Sequence, residues 1–146
     1  MPIGTSHILQ KKPMSGVVDI KILLKKMQPT LDRTDYVFCT KKSFEIDKKI
    51  IDLNPIATFL EKEGMTLIIE QSKAKSHNLS YNGVFNKITL EIHSSLEAVG
   101  LTAAFSQVLT SYGISANVIA GYYYDHIFVP KEKADLAMKA LTELTE

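Results

Sequence analysis

The residue types able to carry covalent or proton-transfer chemistry cluster in two places, His93-Ser94-Ser95 and Asp125-His126. A serine nucleophile needs a base within hydrogen-bond reach, but neighbours on an extended strand point to opposite faces, so the spacing argues against His93 activating Ser94. Ser94 also has a structural use. Ser94-Ser95-Leu96-Glu97 fits a capping box, in which the serine accepts from the first helical amides and the glutamate reaches back. Asp125-His126 falls at a hairpin tip, where turn chemistry explains the aspartate; a polar contact to a partner module is its other use. Metal ligation finds no support: His7, His77, His93 and His126 show no His-x-x-x-His spacing, Cys39 is the only cysteine, and no glycine-rich phosphate loop occurs. No cofactor is implied.

Binding has a stronger candidate in Gly100, which lies near the start of an otherwise strong helical pattern at a cost of about 1 kcal/mol relative to alanine. Either a ligand or partner backbone approaches the first helical turn, whose free amides suit a carboxylate, or the helix packs tightly on its sheet. Both readings stand at this point.

These residues need elements to hold them. A chain of 146 residues, 45% hydrophobic and 23% charged, can bury a real core in one compact unit or two small modules. Its net charge of +1 gives no strong field for nucleic acid or an anionic bilayer. The lone Cys39 excludes an internal disulfide and sits well with a reducing compartment, and residues 1–12 lack a secretory apolar run, so a cytoplasmic protein is expected. Ala98 to Tyr124 is uncharged and long enough to span a membrane, but Ser106, Gln107, Thr110, Ser111, Ser115 and Asn117 interrupt it and Gly113 divides a helical period from an alternating one. It reads as a buried helix followed by a buried strand.

Residues 1–13 lack periodicity and read as a flexible extension. Val17, Ile20, Leu23, Leu24 and Met27 recur at helical spacing, with Ser15 as N-cap and Pro29 as stop. Tyr36 to Thr40 reads as a short strand, and Lys41 to Asn54 as a long connection in which Phe44, Ile46, Ile50 and Ile51 could form an extra hairpin arm. Met65 to Glu70 is near-continuously apolar, a strand covered on both faces. Gln71 to His77 suits a short helix, and Ser80-Tyr81-Asn82-Gly83 a turn. Beyond it Ile88, Leu90 and Ile92 alternate as one buried face of a strand. A helix beginning at Ser94 carries Leu101, Phe105, Val108, Leu109 and Tyr112 inward and ends at Gly113-Ile114. Ile114 to Ala120 and His126 to Val129 pair as a hairpin, and Pro130 opens a last helix with Ala134, Met138, Leu141 and Leu144 inward.

The stretch ITLEIHSSLEAVGLTAAFSQVLTSYGISANVIAGYYYDHIFVP, Ile88 to Pro130, resembles the core of an ACT domain, and YVFCT with PIATFLEKEGMTLIIE resembles a first module of the same kind. The resemblance implies an α+β fold of two tandem ferredoxin-like ACT modules of βαββαβ type, with antiparallel sheets and helices on one face. The modules would span residues 14–81 and 82–146. It further implies a small-molecule-binding regulatory or sensor protein without catalysis. The ligand would be an amino acid, held where modules meet in a homodimer. Ser94, Ser95, Val99, Gly100 and Leu101 would line the site at the strand-to-helix turn, and Asn117 and Ile119, opposite Val118 on the next strand, would complete it. Asn117 offers one donor and one acceptor group to an amino acid backbone; a solvent-facing or interface asparagine is its plainer reading.

A second class of function starts from Tyr122, Tyr123 and Tyr124, since ferredoxin-like sheets that display aromatics stack unpaired bases. The surround argues against RNA: from Tyr81 to Glu146 there are four basic and seven acidic side chains. Interface packing of the tyrosines is the ordinary account. No nucleic acid and no membrane are expected as partners, and a purely structural pairing module is the remaining alternative.

Overall fold

The computed structural model describes residues 22, 24–92 and 100–145. The elements are β1 (Gln28–Lys41), α1 (Lys48–Asp52), β2 (Ala57–Glu61), β3 (Gly64–Glu70), α2 (Gln71–Ser76), β4 (Phe85–Glu91), α3 (Leu101–Ser111), β5 (Asn117–Ala120), β6 (Asp125–Pro130), a 3-10 turn at Lys131–Lys133 and α4 (Ala134–Leu144). The fold is mixed α+β, its strands ordered β2-β3-β1-β4-β6-β5 in one antiparallel sheet. Two compact units divide the chain, one formed by residues 33–87 and the other by described residues up to Asp32 together with those from Ile88 onward. The long strands β1 and β4 therefore contribute to both.

The unit of residues 33–87 is built on β3. Its register against β1 runs from Tyr36 opposite Glu70 to Lys41 opposite Met65, and against β2 from Ala57 opposite Ile68 to Glu61 opposite Gly64. Val37, Cys39, Met65, Leu67 and Ile69 turn one face toward Ile50, Leu53 and Ala74, making the core under α1 and α2. Ile68, on the other face of β3, is also buried. Tyr36 is buried on that second face too, with the Lys87 ammonium 6.0 Å from its ring centre.

The connection after Lys41 corrects the sequence reading. It holds no hairpin arm but a short helix, α1, whose N-cap Asp47 accepts from the Ile50 amide at 3.0 Å through Oδ1. Ile50 and Leu53 drop into the core while Phe44, Ile46 and Ile51 stay exposed. A second element, edge strand β2, went unread because its side chains are mostly exposed and show no alternation.

The other unit buries Ile88 and Leu90 of β4, Ile127 and Val129 of β6, and Leu101, Phe105 and Leu109 of α3 against Ala134, Ala137, Ala140 and Leu141 of α4. Met27, next to a helical turn at residues 24–26, is buried in this core, and Leu31 of β1 packs against it. The end of α3 follows its sequence signal: Gly113 takes φ +71°, the Ile114 amide donates to Leu109 O at 3.0 Å and the Gly113 amide to Thr110 O at 2.9 Å. Two readings need correction. Pro130 closes β6 and precedes the 3-10 turn, not the α-helix itself. Gly100 stands before α3 at φ +93°, so no continuous helix runs from Ser94 through it.

Candidate functional site

Of the residues singled out for binding, Ser94, Ser95 and Val99 lie outside the described residues, as does His93. Gly100 is half-buried and adopts a left-handed conformation that L side chains rarely take, which supplies a reason for glycine that neither sequence reading offered. It is the N-cap of an eleven-residue helix and has no side chain with which to cap it. Its carbonyl accepts from the Ala104 amide at 2.9 Å, leaving the first-turn amides pointing out of the helix. The Leu101 side chain is 3% exposed and belongs to the core beneath α3.

Asn117 and Ile119 sit on β5 with Val118 between them. Val118 packs against the helix-side core, so strand alternation places the other two on the opposite face of the sheet. Leu101's side chain and those of Asn117 and Ile119 are thus not brought together within the unit. Asn117 is exposed, and its Nδ2 donates to Phe128 O across the hairpin at 3.3 Å. Its carbonyl end retains acceptor capacity. Beside Ile119 in the register is His126, whose Nδ1 contacts Thr89 Oγ1 at 2.9 Å. A Cβ at Gly121 would stand 3.3 Å from His126 Nε2 and 2.8 Å from Tyr124 O, which accounts for the glycine at that turn.

The electrostatics follow from this packing. Burial pushes the Asp125 carboxyl above its ordinary range, with the charge of His126 opposing the shift. Tyr112, which caps the C-terminal end of α3, hydrogen-bonds the Glu143 carboxylate on α4, and that bond, followed by burial and the carboxylate's charge, pushes the phenol up. Burial raises the Cys39 thiol and disfavours a reactive thiolate. Among the described residues no group of three or more His, Cys, Asp or Glu side chains could hold a metal ion, and no helix is long and apolar enough to cross a membrane.

The tyrosine run lies in the β5–β6 turn, not on the sheet. Tyr122 and Tyr123 are 80% and 70% exposed and meet edge to face at 5.1 Å, while Tyr124 is half-buried. Sequence reasoning missed Asn86, the one buried polar side chain among the described residues at 3% exposure. Its Nδ2 donates to Thr34 O at 3.0 Å and Asp35 Oδ1 at 3.2 Å. Strand alternation offered a signal, since Asn86 shares its parity with Ile88 and Leu90.

Comparison with known proteins agrees with this architecture. ACT domain profiles match residues 15–86 and 85–143. The chain belongs to the ACT domain family, with two such domains in tandem. Among curated proteins, none matches by sequence. A solved Vibrio cholerae protein of unknown function, described as a possible transport protein, is 52% identical with a TM-score of 0.82, the alignment covering 90% of this chain and all of that one. The ligand-free regulatory subunit of aspartate kinase from Thermus thermophilus shares the fold at 11% identity and a TM-score of 0.59, over 81% of this chain and 96% of that one. Aspartate kinase from Clostridium acetobutylicum, described as an allosteric enzyme, does so at 10% identity and 0.62, over 81% of this chain and 34% of that one. Both modules are therefore of a ligand-binding, regulatory type.

Proposed function

We propose that the protein is an amino acid sensor that regulates another molecule and performs no catalysis of its own. The observation that carries this reading is Gly100 at φ +93° directly ahead of α3, where a helix begins with amides that no side chain of its N-cap residue can satisfy. A ligand carboxylate suits those amides, and Ser94, Ser95 and Val99 would contribute from the segment before them, with Leu101 supplying backbone. Asn117 and Ile119 face away from the core that receives Leu101. They reach the same ligand only where a second module closes the site, so the reading includes a homodimer.

A thermal-shift panel of the twenty amino acids tests it. One or a few amino acids should raise the melting temperature in proportion to ln(1 + [L]/Kd), and light scattering should give a dimer. A flat panel at millimolar concentrations would overturn the amino acid reading, and a monomer that still binds would overturn the shared site.

A further inference from the structure

The turn Ser80-Tyr81-Asn82-Gly83 carries the chain from α2 to β4, and amino acid sensing makes no use of it. Its last two residues are an asparagine followed by a glycine, both exposed. They are held between Tyr81 and Val84, which pack against the core of the 33–87 unit. Tyr81 is fixed further by the bond its hydroxyl accepts from Gln71 Nε2 at 2.9 Å. Among the described residues, neither the Asn82 side chain nor the Gly83 amide has a hydrogen-bond partner. Gly83 holds φ +76°, and a Cβ there would meet only the Phe85 ring, from 3.5 Å.

The chain holds five asparagines, and the structure separates this one from the rest. An asparagine loses its amide when the main-chain nitrogen of the next residue attacks the side-chain carbonyl. That nitrogen needs a proton to give up, room to move and no competing bond. Asn54 precedes Pro55, which has no N–H. Asn78 precedes Leu79, whose amide donates to Ala74 O at 2.9 Å. Asn86 is 3% exposed, and its Nδ2 donates to Thr34 O and Asp35 Oδ1. Asn117 precedes the β-branched Val118 in the β5–β6 pairing, and its Nδ2 is tied to Phe128 O. At Asn82 none of these brakes acts, and the following glycine adds the backbone freedom that ring closure needs.

We propose that Asn82-Gly83 is a site of self-modification, at which the folded protein converts its own asparagine to aspartate and isoaspartate. The Gly83 nitrogen gives its proton to hydroxide and attacks Asn82 Cγ. A C–N bond forms, the side-chain nitrogen takes up a proton from water and leaves as ammonia, and a cyclic succinimide remains. Water then adds to either ring carbonyl and breaks that carbon's bond to the shared nitrogen. Breakage at Cγ gives aspartate; breakage at the Asn82 main-chain carbonyl gives isoaspartate, whose main chain runs through the former side chain. Nothing is oxidised or reduced, and water is the co-reactant. Either product adds a negative charge to the turn, and isoaspartate also lengthens the main chain by a methylene between the anchors Tyr81 and Val84.

Peptide mapping by mass spectrometry, after long incubation of the folded full chain at neutral and at mildly alkaline pH, tests the proposal. The peptide holding Asn82 should gain the mass difference between an amide and a carboxyl group, ahead of the other four asparagines. It should yield two products of equal mass that separate chromatographically. The change should be faster at the higher pH, because the attacking nitrogen must lose its proton. Asn82→Gln keeps an exposed amide and enlarges the ring to be closed, so it should slow the reaction severalfold without disturbing the fold. Gly83→Ala, which restricts φ, should slow it likewise. The proposal is overturned if Asn82 keeps its amide in the folded chain while losing it in denaturant, if another asparagine changes first, or if Asn82→Gln reacts as fast as the parent.

Discussion

Gly64 backs onto the carbonyl of Lys41 so closely that any Cβ at position 64 would overlap its oxygen, and Gly64 also holds φ +144°. This contact lies where β3 starts, after the tight turn from β2 and opposite the end of β1. Gly113 is also left-handed, at φ +71°, but a Cβ there meets nothing within 4 Å. The pair separates two costs of replacing glycine. Gly113→Ala should lose about 1–2 kcal/mol from backbone conformation alone, and Gly64→Ala distinctly more because backbone must move as well. Chemical denaturation of both variants checks the order, and equal losses would contradict it.

The cap on α1 gives a smaller, sharper test. Asp47→Ala should cost about 1 kcal/mol through loss of the bond to the Ile50 amide. Ile50→Ala, which empties a fully buried position, should cost about 2–5 kcal/mol. Denaturant midpoints for the two should differ in that sense.

Replacing Asn86 with alanine removes the donor shared by the Thr34 carbonyl and the Asp35 carboxylate. Loss of about 1–3 kcal/mol is expected, with hydrogen exchange quickening in the 33–87 unit. A variant as stable as the parent would mean the bonds to Asn86 are dispensable.

Asp125 provides the pH test. Its carboxyl is held above the unfolded value of 3.8, so the native state binds that proton more tightly than the unfolded chain. Its contribution to stability is complete below 3.8 and is lost as pH rises through the raised native value. Asp125→Asn removes that loss, so the variant should gain stability over the parent as pH climbs from acid to neutral. Melting temperatures measured across that range check the slope; a gap that does not change with pH would refute the assignment.

Asn117→Ala tests the binding reading. The bond to Phe128 O spans an exposed hairpin edge, so stability should fall by only about 0.5–1.5 kcal/mol. Any amino acid that stabilises the parent should stabilise the variant less, by thermal shift at equal concentration. Unchanged stabilisation would remove Asn117 from the site.

The legible parts of this fold were those written in local repeats. Ile88 and Leu90 alternate, Leu101, Phe105 and Leu109 recur along one helical face, and Gly113-Ile114 encodes a helix end in two residues. Elements with little to bury left little trace: α1 offers just Ile50 and Leu53 to the core, and β2 lies mostly exposed along an edge. The candidate site could be drawn from the sequence as a set of positions and not as a geometry. Gly100 stood out as a glycine, but its left-handed backbone depends on how the chain arrives there, which composition does not express. Asn86 was passed over because one amide among alternating residues looks like surface until its bonds are seen.

The division of β1 bears on how the protein is made. Residues 33–87 leave the ribosome as an uninterrupted set, α1, α2 and their strands included, and can begin to fold during synthesis. The other unit draws Met27 and Leu31 from early in translation and everything from Ile88 onward from late in it. Its first strand must wait, unsatisfied, while more than fifty residues are added, so nascent chains stalled before α3 should be the species that chaperones hold.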